Sequence, residues 1–566
     1  MQDGRKILRS LILGSSYRFG SYFLMTLVIF LLRPVMVGTL GTRECGLWAA
    51  AAEIVGMYSV LELGLNTAVS RFIAASIGLK DDAETNRYFN TGFFLFALVG
   101  GIVFVLSCLT IAFASRIVPL LGIDVDMSDF RLFAVVVLIL GAQFAVELPF
   151  RAFNGLINGA LRQDLSALVK TGFFLVSQGV AFLILMNADA LLPLFGSLLY
   201  PLALGSLLVA CVNFFAWYGA ARSVFPALRM TYTRIDRAAL RRVFHYTTFS
   251  FAAMLADIAK TAAPTFLLAG FLNLSAVGQY KMVLTTLTGA LGALVAQVTN
   301  TVSPLFSRLV AQNDHESARN ALFFSMKVAT VISVFISFGL IAWSDPFIQR
   351  WMEPDIMIYG AKSDAHAARG KTAETAETEE APVAGKPSLQ RERIPDLNPD
   401  RVNVDFMLTL YLLVIAMCLD RMQSPGTELL YGTSNHHHYS LLNGVEAVLL
   451  FVLTALGLKY RGFLGLGIGA LVPVIFTRGI WLPLLVCRVL GIPRHAYRRA
   501  LLFPLAGCLA ACYPPMFITY YLVAPAYPRL FLVGTLAACT YFPVAVLLVF
   551  TREERMKVWN AIRHRQ

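Results

Sequence analysis

Charge is scarce in this chain. Asp, Glu, Lys and Arg make up 14% of its 566 residues, against 57% hydrophobic residues, and mean hydropathy is +0.67. A soluble domain of this length needs more charge to stay dissolved. Material for metal or redox chemistry is also thin. The 8 cysteines (Cys45, Cys108, Cys211, Cys418, Cys487, Cys508, Cys512 and Cys539) lie mostly inside apolar runs without CxxC spacing. They read as small packing residues, neither a disulfide framework nor a metal site. No nucleophile elbow, phosphate-cradling glycine loop or zinc-protease helix occurs, so enzyme chemistry finds no positive support. The imidazoles of "NHHHY" (435–439) project in different directions on a helix and make a poor single metal site. They read as a polar turn. The net charge of +13 does not point to nucleic acid, because the basic residues sit between apolar runs, where they fix membrane topology. The first apolar run lacks a small-residue cleavage site, so no cleavable signal peptide is expected.

What the chain has is long apolar runs. A helix needs ~20 apolar residues to cross a hydrocarbon core of ~30 Å. Fourteen candidates meet this: 11–37, 45–73, 88–114, 129–153, 165–187, 190–221, 243–270, 279–305, 321–345, 404–430, 438–458, 463–487, 500–523 and 526–550. The expected fold class is an all-α polytopic membrane protein.

Positive charge orients it. Segment 222–242 holds six cations against the single acid Asp236, 488–499 holds four cations and no acid, and the tail 551–566 holds five. An even number of spans puts all of these on one side, and the positive-inside rule makes that side the cytoplasm, with both termini. Residues 353–402 are charged, rich in Ala and Pro and nearly free of aromatics. Such a segment buries too little to fold alone, so a disordered periplasmic linker is expected there.

A weak internal repeat is present. "RECGLW" (43–48) then "VSRFIA" (69–74) parallels "SAVGQY" (275–280) then "FSRLVA" (306–311). The copies fall at spans two and eight, six apart, as two parallel six-helix lobes require. The expected organisation is an N-terminal lobe at 1–221, a basic connector at 222–242 and a C-terminal lobe at 243–487. Two extra helices with a basic tail follow at 488–566.

The stretch "LGTRECGLWAAAAEIVGMYSVLELGLNTAVSRFIA" resembles the second-span signature of polysaccharide transporters. "LSAVGQY", "VSPLFSRLVAQND", "DPFIQRWM" and "ELLYGTSNHH" follow in the order of that family, over roughly 40–340 and 404–490. These are the Wzx-type oligosaccharide flippases, in one superfamily with lipid II flippases and multidrug exporters. The linker, Glu62 in place of a common Asp and Cys45 in place of a usual Tyr depart from the pattern. The resemblance implies two lobes around a cavity that opens alternately to each side of a bacterial inner membrane. The implied cargo is a lipid-diphosphate-linked oligosaccharide, which cannot cross unaided because its phosphates and hydroxyls would enter hydrocarbon unsatisfied. Other polysaccharide-assembly proteins are implied partners. No cofactor is expected beyond a proton or sodium gradient. The rivals are a multidrug exporter of the same superfamily, a membrane enzyme of glycan ligation or polymerisation, and a structural membrane subunit.

Ionisable groups inside spans mark function or pairing. By depth, Arg18 is placed to meet Glu62, and Arg33 to meet Glu53. The two acids are nine residues apart, roughly 180° around a helix at ~100° per residue, so they face opposite sides. Glu147 and Arg151 read as a self-neutralising i,i+4 pair, and Lys281 as a residue that snorkels to the interface. Asp257 and Lys260 sit together near mid-membrane, Asp420, Arg421 and Glu428 lie on span ten, and Glu446 and Arg478 share a depth. Arg18, Arg33 and Lys260 are the candidates for attracting cargo phosphate, and Glu53, Glu62 and Asp257 for coupling to a proton or sodium ion.

The topology is directly testable. A cysteine replacing Thr375 is expected to react with an impermeant maleimide added to intact spheroplasts, while one in 222–242 stays protected. The reverse labelling overturns the orientation.

Overall fold

The computed structural model describes the backbone of residues 2–62, 81–120, 127–160, 162–231, 237–289, 314–351, 399–432, 436–516 and 527–556. Isolated positions between 69 and 77, and at 292 and 306, are also described, as are most side chains of these stretches from Gly20 onward. The expected linker 353–402 falls almost wholly outside the described residues, as do half of 69–74 and all of 306–311 except Phe306.

Every regular element among the described residues is a helix. The N-terminal half comprises α1 (Gln2–Met57), a short 3-10 turn (Tyr58–Glu62), α2 (Asp82–Leu120), α3 (Met127–Glu147), α4 (Phe150–Gly159), α5 (Gln163–Met186), α6 (Ala188–Phe195) and α7 (Leu199–Val224). The C-terminal half comprises α8 (Arg237–Phe271), α9 (Leu274–Gln279) running into a π-helical turn (Tyr280–Leu284), α10 (His315–Trp351), α11 (Pro399–Gly432) and α12 (His436–Arg461). After these come α13 (Leu464–Val474) with a second π-helical turn (Ile475–Trp481), then α14 (Leu482–Leu490), α15 (Arg494–Ala511) and α16 (Tyr527–Val549). Ten of these helical segments are long and apolar enough to cross a membrane, so the chain is a multi-pass membrane protein. The first of the ten, Gly20–Glu62, carries the first two expected spans.

Those two spans join without a loop. Gly41 (φ 75, ψ 167) interrupts α1 in a conformation that only glycine adopts cheaply. In a straight helix, residues nine apart are separated by ~13.5 Å. Yet Cys45 Sγ lies 3.7 Å from the carbonyl oxygen of Met36. The arm after Gly41 therefore folds back on the arm before it.

In the N-terminal lobe α2 packs on α3, α3 and α5 pack on α7, and the α1 arms pack on α5. Phe89, Phe153 and Trp217 fill its core. In the C-terminal lobe α12 packs on α8 and α13, and α11 on α10 and α13. Helices α15 and α16 lean on α10, where the Tyr541 hydroxyl donates to the Val331 carbonyl at 3.0 Å. Just beyond α16, Thr551 and Glu554 form a reciprocal capping box. Lys327 of α10 donates to both oxygens of Glu554 at 2.8 Å. Burial alone would raise the Glu554 carboxyl, but Lys327 and the cap hold it below its ordinary value.

The lobes cross where the repeat copies meet. A Cβ on Gly46 would fall 1.9 Å from the carbonyl oxygen of Leu274, and a Cβ on Gly278 2.1 Å from that of Thr42. Each glycine thus faces the carbonyl four residues before the other, a reciprocal contact of two-fold character. Thr42 Oγ1 donates to Ser275 Oγ at 3.3 Å beside it. Small residues permit this approach, which membrane helices use in place of a hydrophobic driving force.

The connector after α7 is strapped to α2. Asn86 Nδ2 donates to the Ala227 carbonyl at 3.0 Å and its Oδ1 accepts from Arg229 N at 2.8 Å. Asn90 Nδ2 donates to the Arg229 carbonyl at 2.8 Å and its Oδ1 accepts from Thr231 N at 3.0 Å. Four helical residues rise ~6 Å, close to the ~6.6 Å of two extended residues, so both amides read the backbone in register.

Gly46→Ala and Gly278→Ala are each expected to destabilise the purified protein by ~1–3 kcal/mol, the usual cost of overpacking. Gly56→Ala is the control, since a Cβ there meets nothing within 4 Å. Equal melting temperatures for all three variants would contradict the crossing.

Candidate functional site: connected cavities and paired charges between the lobes

Three cavities adjoin one another. One of about 180 Å³ lies among α1, α5 and α7 and is lined by Arg33, Trp48, Gln178 and Ser206. The next, about 270 Å³, shares Arg33 and runs between Tyr22 of α1 and Thr285 of the opposite lobe to Gly289. The third, about 540 Å³, shares Gly289 and opens into the C-terminal lobe.

Glu53 and Glu62 have partners on different elements, and neither partner is the one expected. Glu53 pairs with Lys281 across the lobes. Lys281 sits on the first π-helical turn, and its side chain is only 14% exposed, so it does not snorkel. Glu62 pairs with Arg151 at 3.0 Å, while the side chain of Arg18 lies outside the described residues. The expected Glu147–Arg151 pairing also gives way. Helix α3 ends at Glu147 and α4 begins at Phe150, with Pro149 at its N-cap, so the two side chains no longer stack one turn apart. Glu147 instead accepts from Gln143 Nε2 at 2.9 Å, whose Oε1 accepts from Ser206 Oγ at 2.6 Å.

Arg33 is left with sulfur. Its Nη1 donates to Met282 Sδ at 2.7 Å and to Met36 Sδ at 3.9 Å, and a thioether is a weak acceptor. Among the described residues no carboxylate pairs with it. A guanidinium held this way keeps most of its hydrogen-bonding capacity for whatever enters the two cavities it lines.

The C-terminal cavity is built around a charge network. Glu446 and Arg478 pair at 2.9 Å, as their shared depth suggested, and Asp257 and Lys260 pair at 3.2 Å. The pairs then fuse. Lys260 Nζ donates to Asn443 Oδ1 at 2.5 Å and Glu446 Oε1 at 3.0 Å, which with Asp257 accounts for all three ammonium protons. Arg478 gives Nε to Glu446, Nη1 to Thr427 at 3.3 Å, and Nη2 to Tyr439 at 3.4 Å and Asn443 at 3.3 Å. Asp420 Oδ1 stands 3.3 Å from Arg478 Nε. Thr477 donates to Glu446 Oε2 at 2.7 Å, and Asn443 Nδ2 donates to Asp257 Oδ1 at 2.8 Å. Glu446 and Arg478 are buried, at 6% and 4% side-chain exposure, while Asp420 keeps 30% and Asp257 keeps 55%. Lys260 is therefore placed in the cavity wall with its donors committed. Sequence reasoning missed Asn443 and Thr477. The available signal was that Asn443 precedes Glu446 by three residues and Thr477 adjoins Arg478, which puts each beside a charge on its helix. Among the described residues no group of three His, Cys, Asp or Glu could hold a metal ion.

Removing one member of a buried ion pair costs ~3–5 kcal/mol because the other is left uncompensated. Glu53→Gln and Lys281→Met are each expected to lower the thermal stability of the purified protein, and the double variant to regain much of it. Arg33→Gln is expected not to rescue Glu53→Gln. A double-mutant cycle without coupling between 53 and 281 would remove this pair from the account.

Known proteins agree with this architecture. Residues 35–352 match the family described as "Polysaccharide biosynthesis protein". A relative, the "Uncharacterized membrane protein EpsK" of Bacillus subtilis (strain 168), is 28% identical over 123 residues, 22% of this chain and 24% of EpsK. The chain thus matches about a quarter of that relative's length. The fold is similar to that of the lipid II flippase MurJ in an inward closed conformation, with TM-score 0.65 and 14% identity over 94% of this chain and 98% of MurJ. It is also similar to an inward-facing multidrug resistance MATE family transporter of the MOP superfamily, with TM-score 0.63 and 12% identity over 84% of this chain and 99% of the transporter. The family match spans more than half of the sequence, and the chain belongs to the polysaccharide biosynthesis protein family.

Proposed function

We propose that this protein flips a lipid-diphosphate-linked oligosaccharide across a bacterial inner membrane by alternating access, with both termini in the cytoplasm. The observation that carries the reading is Arg33, a guanidinium with sulfur partners only among the described residues, lining two adjoining cavities. An arginine fork suits the phosphate oxygens of such a cargo. The family membership and the solved lipid II flippase with the same fold support the cargo class. Arg18 remains a second candidate for the phosphate on the same helix. Lys260 enters this role only by releasing Asp257, Glu446 or Asn443. Ion coupling, by proton or sodium, falls to Asp257, Glu53 or Glu62. Asp257 has the most exposed carboxylate of the three, whereas Glu53 and Glu62 are held by Lys281 and Arg151. Other polysaccharide-assembly proteins are proposed to supply and collect the cargo.

A second reading, export of cationic drugs, draws on the third cavity. Four carboxylates line it, Asp257, Asp420, Glu428 and Glu446, against three cations, Lys260, Arg421 and Arg478.

Flipping measured in proteoliposomes separates the two. Arg33→Gln is expected to slow translocation of a polyprenyl-diphosphate saccharide at least ~10-fold, the loss of one charge-assisted contact, at unchanged protein content. A normal flipping rate in Arg33→Gln sinks the phosphate role. Export of a cationic dye without any saccharide flipping sinks the flippase reading.

A further inference from the structure

Glu147 closes α3, partly buried within a membrane-spanning segment. Where a cation would neutralise it, it has an amide: Gln143 Nε2 donates to its Oε1 at 2.9 Å. Arg151 on α4 is bonded to Glu62 at 3.0 Å and acts on Glu147 only at longer range. Two acids therefore share one cation. The other elements packed on α3 bring none nearer. Helix α2 has no charged residue between Arg87 and Arg116, and α7 has only Arg222, near its end. Tyr58 shares a hydrogen bond with Thr110 at 2.8 Å, and Cys108 and Cys211 are exposed. On α1, Glu53 is held by Lys281, and Arg33 stands in the cavity beyond Gln143.

A chain of hydrogen bonds joins Glu147 to that cavity. Ser206 lines it together with Arg33. The Ser206 hydroxyl has one proton and two acceptors in reach, Gln143 Oε1 at 2.6 Å and the Ala203 carbonyl at 2.7 Å. With Glu147 ionised the chain runs one way: Ser206 donates to the amide oxygen, and the amide nitrogen donates to the carboxylate. A protonated Glu147 reverses it. The carboxyl then donates to Gln143 Oε1, the turned amide donates to Ser206 Oγ, and the serine proton is released. Every partner is met in both directions without moving a helix, since a carboxyl, an amide and a hydroxyl can each both donate and accept. The released proton rests on the Ala203 carbonyl or turns to an anion in the cavity.

We propose that Glu147 is a proton-binding site linked to anion binding beside Arg33, with Gln143 and Ser206 as the relay. The inference rests on the flippase reading and adds to the carboxylates named there for ion coupling. A proton from the solvent binds the Glu147 carboxylate and stays on it, while Ser206 keeps its own proton and only redirects it. Protonation removes a negative charge near the cavity and gives the cavity a donor, so both effects favour an anion. By linkage the anion favours the proton equally. The complex therefore holds more protons than the free protein, and anion affinity falls as pH rises. The probe's own ionisation runs the other way, because added negative charge tightens its hold on a cation.

The test measures binding of a polyprenyl diphosphate to the full chain in lipid nanodiscs from about pH 5 to 8, which covers the upper part of the spread of carboxyl values in folded proteins. Affinity of the unaltered protein is expected to fall at least ~10-fold across this range, the worth of one charge-assisted contact. Glu147→Gln, whose amide can donate to Gln143 as the protonated acid does, is expected to bind tightly throughout. Ser206→Ala, which has no proton to redirect, is expected to bind weakly throughout. Affinity of the unaltered protein that is flat or rises with pH overturns the proposal and leaves the phosphate role of Arg33 standing. A full fall retained in Glu147→Gln assigns the proton to another acid and overturns it too, as does a full fall retained in Ser206→Ala. Absence of binding at every pH removes the phosphate reading and this inference with it.

Discussion

A charge in hydrocarbon has no water to turn to, so each must find a partner on another helix or line a wet space. This constraint decides which helices of the chain can be neighbours. Arg151 holds Glu62 against α4, Lys281 ties the second arm of α1 to the opposite lobe, and Arg478 draws Asp420 of α11 and Glu446 of α12 to one point. The glycine crossing gives the lobes close approach, and the ion pairs give them register. At Arg33 the partners are thioethers, and at Asp257 part of a paired carboxylate stays exposed.

The division of labour follows from that arrangement. The N-terminal lobe presents Arg33 to the cavities, and the C-terminal lobe presents acids and cations together. The inter-lobe pair Glu53–Lys281 ties the two faces together.

Much of this was legible in the residues. Long apolar runs specified the helices. The Glu446–Arg478 and Asp257–Lys260 pairs followed from depth and helical spacing, and the repeat pointed to the two segments that cross. Depth, however, is a single coordinate. It could not show that Glu53 turns toward the other lobe, because a π-helical turn at Tyr280–Leu284 leaves no plain mark in composition. The Glu147–Arg151 misreading has a visible cause: Pro149 sits between them, and an i,i+4 argument assumes an unbroken helix. The expected spans 11–37 and 45–73 leave 38–44 between them, and that stretch turns by a break at one glycine, since a single positive-φ residue turns a chain without adding length.

The Asn86 and Asn90 strap sets a length scale for motion. It holds the connector on the N-terminal lobe as far as Thr231, and α8 begins at Arg237. Six Cα–Cα steps at full extension span ~20 Å. That tether caps the distance between the strap and the start of α8, whatever drives the lobes apart. A wider excursion requires Asn90 to let go of Arg229 and Thr231 first, and then Asn86 to let go of Ala227 and Arg229, so the four backbone-reading hydrogen bonds lengthen the tether in two steps.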